Sequence, residues 1–207
     1  MGTGILQISG LDFGYPGQPL FSKLSADIGP GVTFIQGGDG RGKTTLMRLL
    51  AGELRASAGE ITMNGISLAG APADYKSQVF WIDPRTEAFD QVVVTDFFSQ
   101  QRALRAGFDN AMLPTLVTGL DLESHIDKKL FMLSTGSKRK VLIAAALASG
   151  APVTLLDMPF AAIDKPSKDF LLAQFRLAAD SSDRAIVVAD YEVPEGVGLA
   201  GVVDLGE

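Results

Sequence analysis

The sequence has 207 residues and a hydrophobic content of 46%, which excludes an intrinsically disordered chain. Its net charge of −6 argues against a nucleic-acid-binding face, so we expect no nucleic-acid partner. The lack of cysteine excludes disulfides, thiolate zinc sites and a thiol nucleophile.

The first half of the chain alternates strand and helix patterns around a glycine-rich segment. A period-two pattern predicts a strand over 5–15, and a β-branched run predicts a second strand at 32–36 that ends at the glycines. Apolar spacing predicts a helix at 43–54. A strand closed by an Asn-Gly turn is expected at 59–65, followed by a strand at 78–83.

From about 86 to 140 the pattern becomes helical and more polar, which predicts an inserted helical subdomain. The other predicted elements are helices at 94–108, 138–150 and 166–180 and strands at 152–158, 185–190 and 201–206. This order predicts a single α/β domain over 1–207, with a mainly parallel sheet and an antiparallel β layer at the N-terminus.

A phosphate-binding loop is encoded by GGDGRGKTT at 37–45, which matches the pattern G-x-x-x-x-G-K-[ST]. In such a loop the backbone amides and the helix N-terminus face the phosphates. The lysine reaches the terminal phosphates, and the threonine after it binds Mg²⁺. The predicted nucleotide-binding residues are Gly38, Asp39, Gly40, Arg41, Gly42, Lys43, Thr44 and Thr45.

A second acidic signal lies at Asp157, where a buried apolar strand ends. In a phosphate-loop fold, an acid at the carboxyl end of a strand holds Mg²⁺. A turn or cap role before Pro159 is the alternative. His125 is interpreted as a solvated loop residue rather than a catalytic one, and the basic run 138–140 as a solvated helix face or a segment near bound phosphate.

With these motifs placed, essentially the whole chain resembles the ATPase subunits of ABC transporters. LSTGS at 133–137 is similar to the family signature LSGGQ, and DMPFAAID at 157–164 is similar to DEPFAALD. The resemblance implies a P-loop NTPase core that binds ATP and Mg²⁺. It also implies a second cassette subunit, as a homo- or heterodimer, and an integral membrane permease that holds the chain at the cytoplasmic face of the inner membrane.

The resemblance assigns roles to residues outside the loop. Tyr15 stands where the family stacks an aromatic ring on adenine. Asp83 or Pro84 takes the place of a glutamine that links the nucleotide to the helical subdomain. The predicted metal ligands are Thr44, Asp157 and Asp83.

Three further residues would act across a head-to-tail dimer, if the family pattern holds. Ser134 and Gly136 would contact the γ-phosphate that the opposite chain holds. Asp164 would lie in the loop that crosses to the partner subunit.

The chain departs from the family at two catalytic positions. Met158 stands in place of the catalytic glutamate, and Asp190 in place of the switch histidine. Methionine cannot accept a proton from water, and loss of a general base typically lowers the rate by about 10²–10⁴. The predicted catalytic set is therefore Lys43 and Asp157 with two degenerate positions, Met158 and Asp190.

Two hypotheses for the function remain open. The first is an ABC transporter ATPase subunit with weak hydrolysis at its own site. The second is a non-hydrolytic regulatory module, or the degenerate half of a heterodimeric pair. A P-loop kinase or GTPase is disfavoured, because LSTGS has the cassette spacing and no guanine-reading Asn-Lys-x-Asp motif occurs.

Overall fold

Two β-sheets form the framework of the computed structural model, which describes residues 4–206. The strands are β1 (Leu6–Tyr15), β2 (Gln18–Ile28), β3 (Gly31–Gln36), β4 (Ala58–Met63), β5 (Ile66–Ser67), β6 (Val79–Phe80), β7 (Val153–Asp157), β8 (Ala185–Ala189) and β9 (Gly201–Asp204). An antiparallel sheet has the order β2-β1-β4-β5, and a parallel sheet has the order β6-β7-β8-β3-β9. The predicted α/β fold with an antiparallel N-terminal layer is confirmed.

Residues 4–206 also form six α-helices. They are α1 (Lys43–Leu50), α2 (Pro72–Ser77), α3 (Val94–Leu104), α4 (Met112–Gly119), α5 (Thr135–Ala148) and α6 (Lys165–Ala179). Short 3-10 turns lie at Glu123–His125 and Leu130–Met132. Among residues 4–206, no helix combines the length and the apolar character needed to cross a membrane.

The parallel sheet brings three loop starts to one edge. All five residues of β7 and all five of β8 are buried, as expected for strands that are covered on both faces. Asp157 pairs with Ala189, and Ala189 pairs with Ile35 on β3. The carboxyl ends of these three strands therefore meet where the phosphate loop, Asp157 and Asp190 begin, which is where ligands bind in such sheets.

Several predicted elements are shorter in the structure. The helix that begins at Lys43 ends at Leu50, and Gly52 follows in the left-handed conformation with φ 72°. The helix that begins at Val94 ends at Leu104, because Arg105 is extended.

One long strand, β2, was missed by the sequence prediction. Its period-two pattern is broken at Lys23, which has φ 51° within an irregular stretch of the β1–β2 pairing. The amide of Lys23 donates to Asp12 Oδ1 at 2.6 Å, which holds this irregularity in place.

Candidate nucleotide-binding site

The loop at 37–45 forms one wall of a cavity of about 400 Å³. This volume lies within the range of small-ligand sites, about 300–1,000 Å³. Helix α1 begins at the loop, and no side chain caps its first amides, so they are available to an anion. The cavity is lined by Tyr15, Gln18, Leu20, Asp39, Gly40, Arg41, Gly42, Lys43, Thr44, Thr45, Arg85, Met158 and Tyr191.

Gly42 is the tightest point of the loop. It has φ 92°, a conformation that favours glycine. A Cβ atom here would lie 2.7 Å from Leu20 Cδ2 and 2.8 Å from Phe21 Cζ. The side chains of β2 therefore pack directly against the loop, and a larger residue at 42 would push the two apart.

Lys43 is 7% exposed, and its ammonium group lies inside the loop. Nζ donates to the carbonyl oxygens of Gly37 at 2.6 Å and Gly38 at 2.9 Å. It also lies 4.2 Å from the ring centroid of Tyr191, whose hydroxyl donates to Asp39 Oδ1 at 3.4 Å. No carboxylate within the described chain forms an ion pair with Lys43, so its charge remains available to a phosphate.

Thr44 and Asp157 form a pair suited to Mg²⁺. Thr44 Oγ1 donates to Asp157 Oδ2 at 2.7 Å, and Asp157 is only 5% exposed. Asp157 Oδ1 is buried and has no hydrogen-bond partner among residues 4–206. Burial raises the pKa of Asp157, and the hydrogen bond from Thr44 opposes that rise. A hydroxyl and an unsatisfied carboxylate are oxygen ligands of the kind that Mg²⁺ prefers.

The protein offers this metal few other ligands. In the part of the chain that the structure describes, no group of three His, Cys, Asp or Glu residues could hold a metal alone. A Mg²⁺ bound at Thr44 and Asp157 would therefore take its remaining ligands from phosphate and water, which is its usual mode in nucleotide sites.

Arg85 is a site residue that the sequence analysis missed. Its Nη2 donates to Thr44 Oγ1 at 3.3 Å and lies 4.0 Å from Asp157 Oδ2. Asp83, the predicted third metal ligand, does not line the cavity, and its Oδ1 accepts the amide of Arg85 at 2.9 Å. A metal role for Asp83 stays a prediction. The missed signal was a guanidinium two residues after Asp83, in the segment where the family carries its glutamine.

Met158 lines the cavity beside the magnesium pair. It has φ 50°, and its amide donates to the carbonyl of Ala189 at 2.8 Å, so its backbone is held in a left-handed turn. Its thioether cannot act as a general base.

Asp190 is partly buried at the end of β8. Its Oδ1 accepts the amide of Tyr191 at 2.8 Å, whereas Oδ2 is buried without a partner in the described chain. Burial raises the pKa of Asp190, and backbone amides of Tyr191 and Phe160 oppose this rise. The residue at the switch position is thus an acid whose charged form is poorly solvated, and it does not line the cavity.

Tyr15 lies at the mouth of the cavity. Its side chain is 43% exposed, its hydroxyl lies 3.2 Å from Thr45 Oγ1, and its ring meets Phe13 edge to face at 5.2 Å. The predicted stacking of adenine on this ring stays a prediction.

The signature segment lies outside the cavity. Ser134 caps α5 by accepting the amide of Ser137 at 3.0 Å, and Asp164 caps α6 by accepting the amide of Ser167 at 2.9 Å. Neither these caps nor Gly136 lines the site that contains Lys43. Their predicted role toward the nucleotide of a second chain stays a prediction.

Two interpretations of the sequence are corrected here. Lys140 does not belong to a solvated helix face, because it is 4% exposed and donates to Asp164 Oδ2 at 2.8 Å. His125 is not a solvated loop residue. It is half-buried, with its ring nitrogens 3.4 Å from Ser137 Oγ and 3.3 Å from Lys128 Nζ.

Comparison with known proteins shows what this chain is similar to. The family model described as ABC transporter matches residues 21–161. A taurine import ATP-binding protein, TauB, of Pseudomonas fluorescens strain Pf0-1 is 27% identical over 199 residues, which covers 95% of this chain and 75% of the relative. TauB of Yersinia pestis bv. Antiqua is 28% identical over 197 residues, which covers 95% of this chain and 77% of that relative.

A solved structure with the same fold is described as the ATP-binding subunit of an ABC transporter. It superposes with a TM-score of 0.81 at 22% identity, covering 90% of this chain and 79% of the other. At this identity the likeness concerns the fold.

Proposed function

Since this chain belongs to the ABC transporter family as an ATP-binding subunit, we propose that it binds Mg-ATP in the cavity beside Lys43 and drives import through a membrane permease. It acts as a dimer with a second cassette subunit, at the cytoplasmic face of the membrane. Import is favoured because the relatives that match 95% of the chain are named as import proteins.

The arrangement of Lys43, Thr44 and Asp157 is the observation that carries this function. Lys43 has no carboxylate partner in the described chain, and Asp157 keeps one buried oxygen unsatisfied. Together they supply a cation for the terminal phosphates and an oxygen pair for Mg²⁺. When bound, Mg²⁺ neutralises charge on the β- and γ-phosphates.

Hydrolysis at this site is weak, on our proposal, because the two residues that would assist it are altered. Met158 offers no proton acceptor to an attacking water. Asp190 brings a carboxylate where the family places a histidine beside the γ-phosphate.

Met158 and Asp190 also favour a second candidate function. The chain would be the degenerate half of a heterodimer, holding ATP in its own site while LSTGS completes the site of a competent partner. Measuring phosphate release by the purified chain alone separates the two candidates, since slow turnover supports the first and none supports the second.

Calorimetric titration of the purified chain with ATP and Mg²⁺ tests the binding function. Lys43→Ala should abolish the binding signal, whereas Lys76→Ala, at the end of α2 and outside the cavity, should leave it unchanged. Equal affinity in the native chain and in Lys43→Ala would refute the assignment.

A further inference from the structure

The guanidinium of Arg85 stands at the position where Mg²⁺ would approach its protein ligands. It donates to Thr44 Oγ1 at 3.3 Å and lies 4.0 Å from Asp157 Oδ2. The same hydroxyl donates to that carboxylate at 2.7 Å, so one cation faces both metal-binding oxygens. Its side chain is 71% exposed and lines the cavity, which leaves its other nitrogens open to a ligand.

The backbone before Arg85 fixes this position. The amide of Arg85 donates to Asp83 Oδ1 at 2.9 Å, and the amide of Thr86 donates to the carbonyl of Asp83 at 2.9 Å. These two bonds close a turn that directs the segment after β6 toward the phosphate loop. The contact between Arg85 and Thr44 thus comes from an ordered turn.

We propose that Arg85 is a nucleotide-binding residue that shares Thr44 and Asp157 with Mg²⁺ and contacts the terminal phosphate, so that this site retains ATP in the absence of a divalent cation.

The charges around the cavity support this role. Asp157 is buried, and Asp83 adds a second carboxylate whose charge acts on it. A triphosphate bound here without metal would lie close to these carboxylates, and the cations that line the cavity, Arg41, Lys43 and Arg85, would have to offset its charge. Arg85 carries a permanent positive charge, and its planar fork can bond a hydroxyl and a phosphate oxygen at once.

Retention without metal fits the altered catalytic positions. Met158 and Asp190 replace the two family residues that would assist hydrolysis of the nucleotide. Arg85 adds a guanidinium that would contact the terminal phosphate of the bound nucleotide. A site altered in this way would hold nucleotide longer and hydrolyse it more slowly. The inference rests on the proposed function, because it concerns the same site.

The test compares ATP affinity in EDTA with ATP affinity in Mg²⁺, by calorimetry on the full chain. In the native chain we expect the dissociation constant in EDTA to exceed that in Mg²⁺ by less than about tenfold. In Arg85→Gln that ratio should rise by about 10- to 100-fold, the size of a charge-assisted hydrogen bond. Arg85→Lys keeps the positive charge but lacks the planar guanidinium, and it should give a ratio of dissociation constants between those of the native chain and Arg85→Gln.

Arg102→Gln is the matched control, because its guanidinium also bonds a hydroxyl, Ser99 Oγ at 3.5 Å, but on α3 outside the cavity. Its ratio should equal that of the native chain. Equal ratios in the native chain and in Arg85→Gln, or loss of native binding in EDTA alone, would overturn the inference and leave the proposed function standing. Loss of native binding in both buffers would instead refute the proposed function.

Discussion

Thr44 Oγ1 and Asp157 Oδ2, 113 residues apart in the chain, lie 2.7 Å apart and form a hydrogen bond. The bond joins the first turn of α1 to the end of β7. It places a hydroxyl and a carboxylate next to each other at the phosphate loop, and these are oxygen ligands of the kind that a Mg²⁺ bound to phosphates uses.

Thr44→Val should remove the proposed metal ligand while keeping the shape of the side chain. We expect the dissociation constant for ATP in Mg²⁺ to rise by about tenfold, because one oxygen ligand and one hydrogen bond are lost. Calorimetry gives the value. Thr33→Val is the control, because the hydroxyl of this buried strand residue has no partner in the described chain. An unchanged affinity in Thr44→Val would show that the hydroxyl does not bind the metal.

Met158→Glu should raise the rate of ATP hydrolysis, since it places a proton acceptor at the cavity wall. A general base contributes about 10²–10⁴ in rate, and we expect part of that gain. The left-handed backbone at 158 imposes the same strain on Glu as on Met, so the loop need not rearrange. Steady-state phosphate release measures the effect.

Adding Asp190→His to Met158→Glu should accelerate hydrolysis beyond either change alone, because both groups act on one transition state. Lys43→Ala in the same background controls for contaminating ATPases. If the native chain hydrolyses ATP rapidly, and Met158→Ala leaves that rate unchanged, another residue activates the water.

Tyr191→Ala should strengthen ATP binding. The ring of Tyr191 contacts the ammonium of Lys43, and we expect a bound phosphate to replace that contact. Cation–π contacts at exposed sites contribute about 0.5–1 kcal/mol, so the affinity should rise about two- to fivefold. Tyr191→Phe, which removes only the hydroxyl bond to Asp39, serves as the control. Weaker binding in Tyr191→Ala would mean that the ring contacts the nucleotide itself.

Asp164→Asn should destabilise the fold at neutral pH, because it leaves the buried ammonium of Lys140 without its charged partner. The carboxylate of Asp164 is about half exposed, so we expect a loss of about 1–2 kcal/mol in the free energy of unfolding rather than the larger cost of a fully buried pair. Urea unfolding of both proteins measures it. Asp169→Asn breaks an exposed pair with Lys165 and should change stability by less than about 0.5 kcal/mol.

The difference in the free energy of unfolding between the native protein and Asp164→Asn should depend on pH, and the direction of the pKa shift of Asp164 determines how. The hydrogen bond from Lys140 holds the pKa of Asp164 below its ordinary value. The stability that the Asp164 carboxylate contributes is therefore present above its pKa in the unfolded chain, about 3.9, and is lost as the pH falls through its pKa in the folded protein. The two proteins should converge in stability as the pH falls below about 4. A constant difference between pH 7 and pH 3 would contradict this account.

The parts of the site that could be predicted from sequence have local signals. The phosphate loop is a contiguous motif, and Asp157 is the only acid at the end of its apolar strand. Tyr191 had no local signal, because its contact with Lys43 depends on how a separate loop folds. Arg85 had only a weak one, its place two residues after Asp83, and its contact with Thr44 likewise depends on the folding of a separate loop. The fold shows the same distinction between elements with a local sequence signal and features that depend on distant parts of the chain.

The strands β7 and β8 are continuous apolar runs and were predicted. By contrast β2 was missed, because the irregular pairing at Lys23 interrupts its alternation. The burial of Lys140 was missed for a related reason, since its partner Asp164 caps another helix, α6.

The close packing of Leu20 and Phe21 against Gly42 links the antiparallel sheet to the nucleotide loop. Because β2 touches the loop at a point with no spare room, partial opening of this sheet edge must disturb the loop as well. Any ligand held by the loop therefore lowers the frequency of such openings. The amide hydrogens of β2 should then exchange with deuterium more slowly when nucleotide is present.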